Sequence, residues 1–454
     1  MNLADSLKRN RSSGISYQRL LDTDTHPVPA CLRTENPLEL PPSEIPVARY
    51  ISREFFDLEV EKVWKRVWQM ACREEDIPEV GDNIIYDIAG MSFIVVRTAP
   101  DRIRSYYNAC LHRGRLLREY DGLRATEFRC PFHGFAWNLD GTLKHVPCHW
   151  DFPQIEPANW SLPETKVGVW GGFVFVNMDP NCEPLESFLG PMLTEQFARW
   201  PLEKRFKQAH VAKILRCNWK VAQEAFMEAF HVVATHPQLL AGIGDANSQY
   251  DAWGNFSRAI SANGTPSPHL SWKPSEQEMF DSMVDRRIGD PPLVTIPSGM
   301  TARQIAASGG REMIRPALGA AVDELSDAEL VDSFYYTVFP NFHPWGAYNR
   351  ITYRFRPYGA DVDQSIMECM YLAPFKDGER PPAAKMHLLG ADDDWTEAPE
   401  LGFLAWVFNQ DTFNLPKVQL GLKATAKQTV TLANYQETKL RHFHHLLDQW
   451  IARP

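Results

Sequence analysis

The chain has 454 residues, more than the roughly 250 to 300 at which a single hydrophobic core stops growing, so the sequence predicts two domains. Hydrophobic residues make up 44% of the chain and charged residues 23%, which excludes a disordered or fibrous protein. The net charge of -10 gives no long-range attraction for phosphate backbones or anionic headgroups, so neither a nucleic acid nor a membrane surface is expected as a partner.

The N-terminal segment, residues 1–48, is rich in proline, arginine and polar residues and is predicted to form an arm around the body. Its first residues, MNLADSLKRNRSSG, have no apolar core behind the basic ones and do not resemble a secretory signal. Because no stretch approaches 18 consecutive apolar residues, no membrane span is expected, and the cytoplasm is the expected compartment. The eight cysteines are too sparse for a disulfide framework, so a close grouping of Cys and His indicates metal binding.

A small β domain is predicted to follow over residues 49–180. Residues 51–71 have apolar side chains at near-helical spacing behind a possible N-cap at Ser52, which predicts a short lead-in helix. From about residue 82, short β-rich runs alternate with turns, which is typical of antiparallel strands.

Residues 181–454 are predicted to form the second domain. They contain one helical segment at about 219–235 and a poorly patterned stretch at about 245–325. Three alternating strands follow, DSFYYTVFP, NRITYRFRPY and QSIMECMYLAPF, and helical spacing returns between Leu432 and Trp450. This order favours an α+β fold in which a curved antiparallel sheet grips a long C-terminal helix.

A first metal site is indicated by Cys110-Leu-His112 and Cys130-Pro-Phe-His133, separated by 17 residues. Two thiolates and two imidazoles are the ligands of a Rieske [2Fe-2S] cluster, in which the Cys pair binds one iron and the His pair binds the other. A Cys2His2 zinc site uses the same residue types, but structural zinc fingers usually pair C-x-x-C with a separate His pair. The interleaved spacing therefore favours the cluster over zinc.

The segments CLHRGRLL and CPFHGFAWNLDGTL resemble the Rieske motif of aromatic-ring-hydroxylating and related oxygenases. Respiratory Rieske proteins carry an additional Cys in each loop, and here Arg115 and Phe132 stand at those places. The resemblance is therefore to the oxygenase type, and it implies a catalytic α subunit with a helix-grip, START-like catalytic domain.

A second metal site is indicated by NWKVAQEAFMEAFHVVATHPQ. On one continuous helix, Glu224, Glu228 and His231 would share a face, and Pro237 would end the helix so that His236 turns back toward His231. Two imidazoles and a distant carboxylate would form a 2-His-1-carboxylate triad for Fe(II). The alternative is a surface or capping pair of histidines.

The same segment resembles the mononuclear-iron motif of this oxygenase family, in which His231 and His236 match the iron ligands. The resemblance implies that Glu228 links an iron ligand to a Rieske histidine of a neighbouring subunit. The segment VFNQDTFNLPKVQ resembles the family frame that supplies the third ligand, which makes Asp411 the expected carboxylate, although Pro416 replaces the usual Glu. Without that frame, Asp411 would be an ordinary helix N-cap.

The resemblance implies an oxygenase of the EC 1.14 class that carries one [2Fe-2S] cluster and one mononuclear Fe(II). Electrons would pass from NAD(P)H through a reductase, and possibly a ferredoxin, to the cluster and then to the iron, where O2 reacts with substrate. Hydroxylation of an aromatic or polycyclic hydrophobic compound in a catabolic pathway is the favoured activity.

Three alternatives remain open at this point: a monooxygenase or demethylase, a Rieske electron carrier without catalysis, and a zinc-stabilised binding module. The bridging role of Glu228 implies a ring of subunits, either a homotrimer or a trimer that also carries small β subunits.

Overall fold

The computed structural model describes residues 12, 14–41, 44–284, 286, 290–376 and 378–454. Most of residues 1–13, the first part of the predicted arm, lie outside the described residues. The described chain divides into two compact units: a smaller one of Asp57–Phe188 with Pro357–Asp361, and a larger one drawn from the residues up to Phe56, Leu189–Arg356 and Val362–Pro454. Within the described residues, no helix is both long and apolar enough to cross a bilayer.

The strands are, in chain order, β1 Glu44–Pro46, β2 Gln69–Arg73, β3 Asn83–Ile88, β4 Met91–Ala99, β5 Arg102–Tyr107, β6 Phe128–Arg129, β7 Ala136–Trp137, β8 Leu143–His145, β9 Glu164–Trp170, β10 Phe173–Asn177, β11 Arg205–Leu215, β12 Ile243–Trp253, β13 Phe256–Asn263, β14 Ser333–Val338, β15 Phe342–Pro344, β16 Ile351–Pro357, β17 Ser365–Pro374, β18 His387–Leu389 and β19 Thr429–Thr431.

The helices are, in chain order, α1 Tyr17–Leu21, α2 Ala30–Arg33, α3 Ala48–Ile51, α4 Arg53–Glu59, α5 Leu185–Leu189, α6 Pro191–Ala198, α7 Trp219–Glu224, α8 Val232–Thr235, α9 Glu276–Met283, α10 Ala302–Leu318, α11 Asp327–Val331, α12 Leu404–Ala424 and α13 Thr438–Ala452. The predicted lead-in helix over 51–71 is present as α4, which continues as a π-helical turn over Val60–Trp64. It ends earlier than predicted, since Gln69–Arg73 form β2. The hydroxyl of Ser52 accepts a hydrogen bond from the N–H of Phe55 at 3.1 Å, so the predicted cap is confirmed.

The smaller unit is built on two antiparallel sheets, one ordered β2-β10-β9-β5-β4-β3 and one ordered β6-β7-β8. Its core contains Trp137, whose indole N–H donates to the carbonyl of Trp160 at 2.9 Å. Cys110 and Cys130 belong to the same buried cluster. The two cysteine loops are thus anchored in the core of a rigid β unit.

The larger unit holds an eight-stranded sheet ordered β12-β13-β14-β15-β16-β17-β11-β18. Helix α13 lies against this sheet: Lys439 Nζ donates to the carbonyl of Tyr335, and the His442 ring contacts the carbonyl of Gly254 at 3.1 Å. The predicted α+β fold is confirmed, and the three predicted strands are present as β14, β16 and β17, with the short β15 between the first two.

Two predictions about the sheet and the C-terminal helix of the larger unit are wrong. The poorly patterned stretch from 245 contains most of β12 and all of β13, because polar side chains of these strands are buried in pairs and hide the alternation. Asp251 and Arg258 face each other across the two strands, with Arg258 Nη2 2.6 Å from Asp251 Oδ2. The C-terminal helix also begins at Thr438, so Leu432 and Tyr435 precede it.

Arg258 ties the N-terminal arm to the sheet. Its guanidinium donates to the carbonyl of Cys31 at 2.8 Å and to that of Thr34 at 2.9 Å, while the side chain is completely buried against Asp251. Because a fully buried arginine satisfies both a carboxylate and the arm's backbone, the arm is an integral part of this unit's fold.

The variant Arg258→Met is expected to lower the free energy of unfolding of the larger unit by about 3 kcal/mol or more, since it leaves Asp251 buried without its positively charged partner. The matched control is Arg315→Met, which removes an exposed ion pair with Asp323 and is expected to cost less than about 1 kcal/mol. Urea unfolding followed by far-UV circular dichroism measures both. Equal stability of the two variants would contradict the proposed role of Arg258.

Candidate functional site

The two cysteine loops of the smaller unit repeat one backbone turn. In each loop the cysteine N–H, of Cys110 or Cys130, donates to the carbonyl five residues later at 2.8 Å, and the cysteine carbonyl accepts from the N–H of Gly114 or Gly134 at 2.9 Å. Both glycines have a positive φ, 74° and 81°, which side-chain-bearing residues rarely adopt. The sequence therefore builds two equivalent loops, each presenting one Cys and one His.

The predicted cluster ligands are brought together at the ends of these loops. The rings of His112 and His133 are 4.7 Å apart between centroids, and both cysteines are buried. His112 Nδ1 is buried and has no hydrogen-bond partner among the described residues, so it is a ring nitrogen available for a metal. Burial and then the nearby Cys130 thiol raise the pKa of Cys110, so a positively charged metal is needed to hold Cys110 as a thiolate.

A second group of possible metal ligands lies in the larger unit. Three possible ligand atoms lie within 4.8 Å of one another, one each from His231, His236 and Asp411. Asp411 Oδ1 is 2.7 Å from His236 Nε2 and 3.4 Å from His231 Nε2. The structure thus brings together the three residues that the sequence predicted, from the segment after α7 and from α12.

Asp411 lies inside helix α12, seven residues after its first residue Leu404, so it is not the helix N-cap that ordinary sequence statistics suggest. The helix presents it, almost fully buried, toward the two imidazoles. A mid-helix acid in such a position has no helix-capping function, which favours the metal-ligand interpretation over the structural alternative.

The predicted continuous helix over 219–235 is wrong. Helix α7 ends at Glu224, a non-helical stretch follows, and α8 begins at Val232. In the gap, Glu228 turns its carboxylate onto the next residues: Oε2 accepts the backbone N–H of His231 at 2.9 Å and Oε1 lies 2.7 Å from its ring Nδ1. A local side-chain acceptor of this kind competes with helical hydrogen bonding.

Glu224 therefore does not share a face with Glu228. Its carboxylate lies 3.1 Å from the hydroxyl of Tyr50 and 2.9 Å from Nε2 of His444 on the C-terminal helix. Glu224 anchors α7, whereas Glu228 holds His231. The sequence contained no signal that these two acids serve different partners.

In each of the two triad histidines, the Nδ1 atom donates a hydrogen bond to a side-chain oxygen. Glu228 Oε1 accepts from His231 Nδ1, and Gln410 Oε1 accepts from His236 Nδ1 at 2.8 Å while also accepting from Gln238. These bonds fix the tautomer that leaves both Nε2 atoms free to face Asp411. Two Nε2 atoms and one carboxylate oxygen form the donor set of a 2-His-1-carboxylate iron site.

The charge balance of the triad also suits a cation. Burial disfavours the imidazolium form of His231, but the carboxylates of Glu228 and Asp411 outweigh it and raise the pKa of His231 to about 10. Burial likewise disfavours ionised Asp411, but hydrogen bonds from His231 and His236 lower its pKa below the usual range. A metal cation would supply the positive charge that protons supply here.

Two glutamines of the VFNQDTFNLPKVQ segment make contacts that the sequence did not predict. Gln410 was visible only as the neighbour of Asp411, and its contact with His236 depends on the fold. Gln419 accepts the N–H of Asn218 at 3.0 Å, and Asn218 caps α7 by accepting the N–H of Lys220. Gln419 thus connects the helix of the carboxylate ligand to the start of the segment that carries the histidines.

Two family models match the chain. The model described as "Rieske [2Fe-2S] domain" matches residues 67–156, and the model described as "Ring hydroxylating alpha subunit (catalytic domain)" matches residues 194–453. The first range contains the paired cysteine loops, and the second contains the His231, His236 and Asp411 triad.

Individual proteins show the same likeness. The oxygenase subunit of carnitine monooxygenase from Escherichia coli strain K12 is 28% identical over 194 residues, which cover 42% of this chain and 52% of that protein. The large subunit of anthranilate 1,2-dioxygenase from Acinetobacter baylyi is 25% identical over 265 residues, which cover 51% of this chain and 56% of that protein. The match thus spans about half the length of these curated relatives.

Among solved structures, a quaternary ammonium Rieske monooxygenase in complex with L-carnitine has a TM-score of 0.63 at 17% identity, covering 90% of this chain and 95% of that one. At this level of identity, the likeness shows a shared fold.

Glu228→Ala is expected to weaken Fe(II) binding at the triad by about 10- to 100-fold, because the ring of His231 loses the acceptor that orients it. Fe(II) titration against a chromophoric chelator, with the cluster left in place, measures the affinity. Asp392→Asn is the control, since this exposed acid of the same unit pairs with Arg216, and the variant should bind Fe(II) as tightly as the wild type. Unchanged affinity in Glu228→Ala would contradict the positioning role.

Cys130→Ser is expected to abolish the visible absorption and the EPR signal of a reduced [2Fe-2S] cluster, because it removes one thiolate of the buried pair. Cys148→Ser changes an exposed thiol of the same unit and should keep both signals. A cluster that survives in Cys130→Ser would show that the ligand assignment is wrong.

Proposed function

Because this chain belongs to the ring-hydroxylating oxygenase alpha-subunit family, we propose that it is an O2-dependent oxygenase that hydroxylates an aromatic or polycyclic hydrophobic compound. The observation that carries the proposal is the convergence of His231, His236 and Asp411 within 4.8 Å. A pure electron carrier would have no use for this second donor set. A zinc-stabilised binding module would likewise not need it.

Membership of the family implies a Rieske cluster and a mononuclear iron. We assign Cys110 and Cys130 to one iron of the cluster and His112 and His133 to the other. When bound, the mononuclear iron supplies the open coordination positions at which O2 and substrate meet.

The triad ligands belong to this assignment as well: His231, His236 and Asp411 are proposed to hold the mononuclear iron. The chain's own contribution is to orient these ligands and to bury them, so that their geometry is fixed before the metal arrives. Glu228 and Gln410 do this for the two imidazoles through their hydrogen bonds to Nδ1.

Electrons are proposed to come from NAD(P)H through a reductase, and possibly a ferredoxin. The cluster loops suit such an encounter, because His133 is exposed and the neighbouring Phe132 is 56% exposed. From the cluster, the electron would reach the triad of a neighbouring subunit by way of Glu228, which contacts both the backbone and the ring of His231. This route requires a ring of subunits, and we propose a homotrimer or a trimer that also carries β subunits. The proposed location of the protein is the cytoplasm.

The substrate proposal rests on the aromatic rings beside the triad. Phe408, one helical turn before Asp411, packs 5.8 Å from Tyr353 and 5.9 Å from Phe226 between ring centroids. Burial, followed by the neighbouring Cys369 and Tyr371 and last by Asp411, raises the pKa of Tyr353, so its hydroxyl stays protonated in this apolar setting. Aromatic side chains beside a metal site favour an aromatic or otherwise hydrophobic compound as the substrate.

A second candidate, monooxygenation or demethylation, is favoured by two observations. Glu228 precedes His231 by three residues, whereas many ring dioxygenases have Asp with one more residue before the His. The similarity to a carnitine monooxygenase subunit points in the same direction.

A single-turnover experiment tests the activity without a partner protein. Chemically reduced holoenzyme is mixed with oxygen-18-labelled O2 and a panel of arenes including naphthalene and biphenyl, and products are identified by mass spectrometry. We expect oxidised product from the wild type. Two labelled oxygen atoms per product would indicate ring dioxygenation, and one would indicate the monooxygenase candidate.

The control variant is His236→Ala, which should keep the reduced-cluster EPR signal but form no product, because it loses a triad ligand. Product formation by His236→Ala at the wild-type level would overturn the proposed function.

A further inference from the structure

The segment between helices α7 and α8 takes hydrogen-bond partners from side chains. Residues 225–231 form no regular helix, so their backbone N–H groups cannot all be satisfied by helical bonds. The carboxylate of Glu228 accepts the N–H of His231. The N–H of Ala229, two residues earlier, donates to the hydroxyl of Tyr250 at 3.1 Å. Strand β12, which carries Tyr250, therefore contacts the turn that leads to a triad histidine.

Ala229 passes this contact on to helix α8. Its carbonyl accepts the N–H of Val232, the first residue of the helix, at 3.1 Å. Ala229 and Val232 also pack with Leu240 in one buried apolar cluster. The two triad histidines flank this helix, His231 before its first residue and His236 after its last. A hydrogen bond to the N–H of Ala229 therefore fixes the start of the helix that separates the two imidazoles.

Tyr250 is a rigid support for this bond. It pairs with Ala259 of the neighbouring strand β13 and is almost fully buried. Its ring lies edge-on to Tyr435 at 5.4 Å between centroids, and its backbone N–H donates to the Tyr435 hydroxyl at 3.3 Å. Burial, followed by Tyr335 and by the charge of Glu228, raises the pKa of the Tyr250 hydroxyl, which stays neutral. A close-packed, neutral side chain thus presents the acceptor oxygen to Ala229.

We propose that Tyr250 is a positioning residue of the mononuclear iron site: its hydroxyl holds the N–H of Ala229 and thereby fixes where His231 enters the triad. The inference rests on the ligand assignment made in the proposed function, and it adds a residue of the sheet to the supports of that site. The carboxylate of Glu228 orients the ring of His231, whereas Tyr250 fixes the backbone that carries this ring. Tyr250 is not a ligand and acts through Ala229.

The variant Tyr250→Phe removes the hydroxyl and keeps the ring that packs against Tyr435 and Tyr335. We expect the affinity of the triad for Fe(II) to fall about fivefold or more, because the turn before His231 loses a buried hydrogen bond. Competition with a chromophoric chelator, on protein that keeps its cluster, measures the affinity. The EPR spectrum of the nitric oxide adduct of the Fe(II) site should also change shape, because it reports the geometry of the ligands rather than the stability of the fold.

The matched control is Tyr336→Phe. Tyr336 follows Tyr335 in β14 and so faces the other side of the same sheet, where its buried hydroxyl donates to Gln196 at 2.6 Å. This variant also loses one buried hydrogen bond, but it should keep the wild-type Fe(II) affinity and EPR spectrum. The inference is overturned if Tyr250→Phe matches the wild type in either measurement, or if Tyr336→Phe loses as much affinity as Tyr250→Phe.

Hydrogen exchange of the wild type tests the same bond without a variant. The amide of Ala229, resolved by fragmentation mass spectrometry, should exchange about tenfold or more slowly than an unprotected amide. Exchange at the unprotected rate would overturn the inference even if Tyr250→Phe did not fold. A wild type that binds Fe(II) at the triad while Tyr250→Phe binds it equally well loses only this inference. A wild type that binds no Fe(II) there contradicts the proposed function, and this inference with it.

Discussion

The two hydrogen bonds between Glu228 and His231 are the interaction on which the catalytic unit depends. By accepting both the backbone N–H and the ring Nδ1, one carboxylate interrupts the helix and sets the tautomer and direction of the imidazole. His231 and His236 lie at the two ends of the short helix α8, and the bond from Glu228 orients the imidazole at its start. The local cost of a broken helix is offset by a triad that is assembled before any metal binds.

Further hydrogen bonds fix the residues and helices that carry the triad. Gln410 holds His236, and Gln419 on the same helix holds Asn218, the cap of the helix that leads to Glu228. Helix α12 therefore determines both the position of the carboxylate ligand and the start of the histidine segment. A change at Gln419, far along the chain from either histidine, is expected to act on the site through α7 rather than by direct contact.

The sequence was informative where ligand spacing is local. Cys110 and His112, like Cys130 and His133, lie within four residues of each other, so their loops could be predicted from the chain alone. Asp411 lies 175 residues beyond His236, and only a resemblance to a family frame could connect them. The helix ends at Glu224 because the side chain of Glu228 competes for backbone hydrogen bonds further along. The spacing of apolar residues carries no information about this competition.

The same limit applies to the central sheet. Charged residues such as Asp251 and Arg258 usually face solvent, yet these two are buried as a pair that also binds the arm, and so the strands that carry them were missed. Asp245 is also buried, and its carboxylate lies 4.0 Å from the ring of His269, which is 24 residues further along the chain. Whether a polar residue of this fold is buried depends on partners that are distant in sequence, so the sequence around it does not show its burial.

The central claim is that one chain holds two separate iron centres, and iron and zinc analysis combined with EPR of the anaerobic, dithionite-reduced protein tests it most directly. The account predicts about three iron atoms per chain, two in a Rieske cluster and one at the triad, with the third lost and the cluster signal kept in His231→Ala. A protein that is EPR-silent and contains stoichiometric zinc, or one whose iron content does not change in His231→Ala, would contradict it.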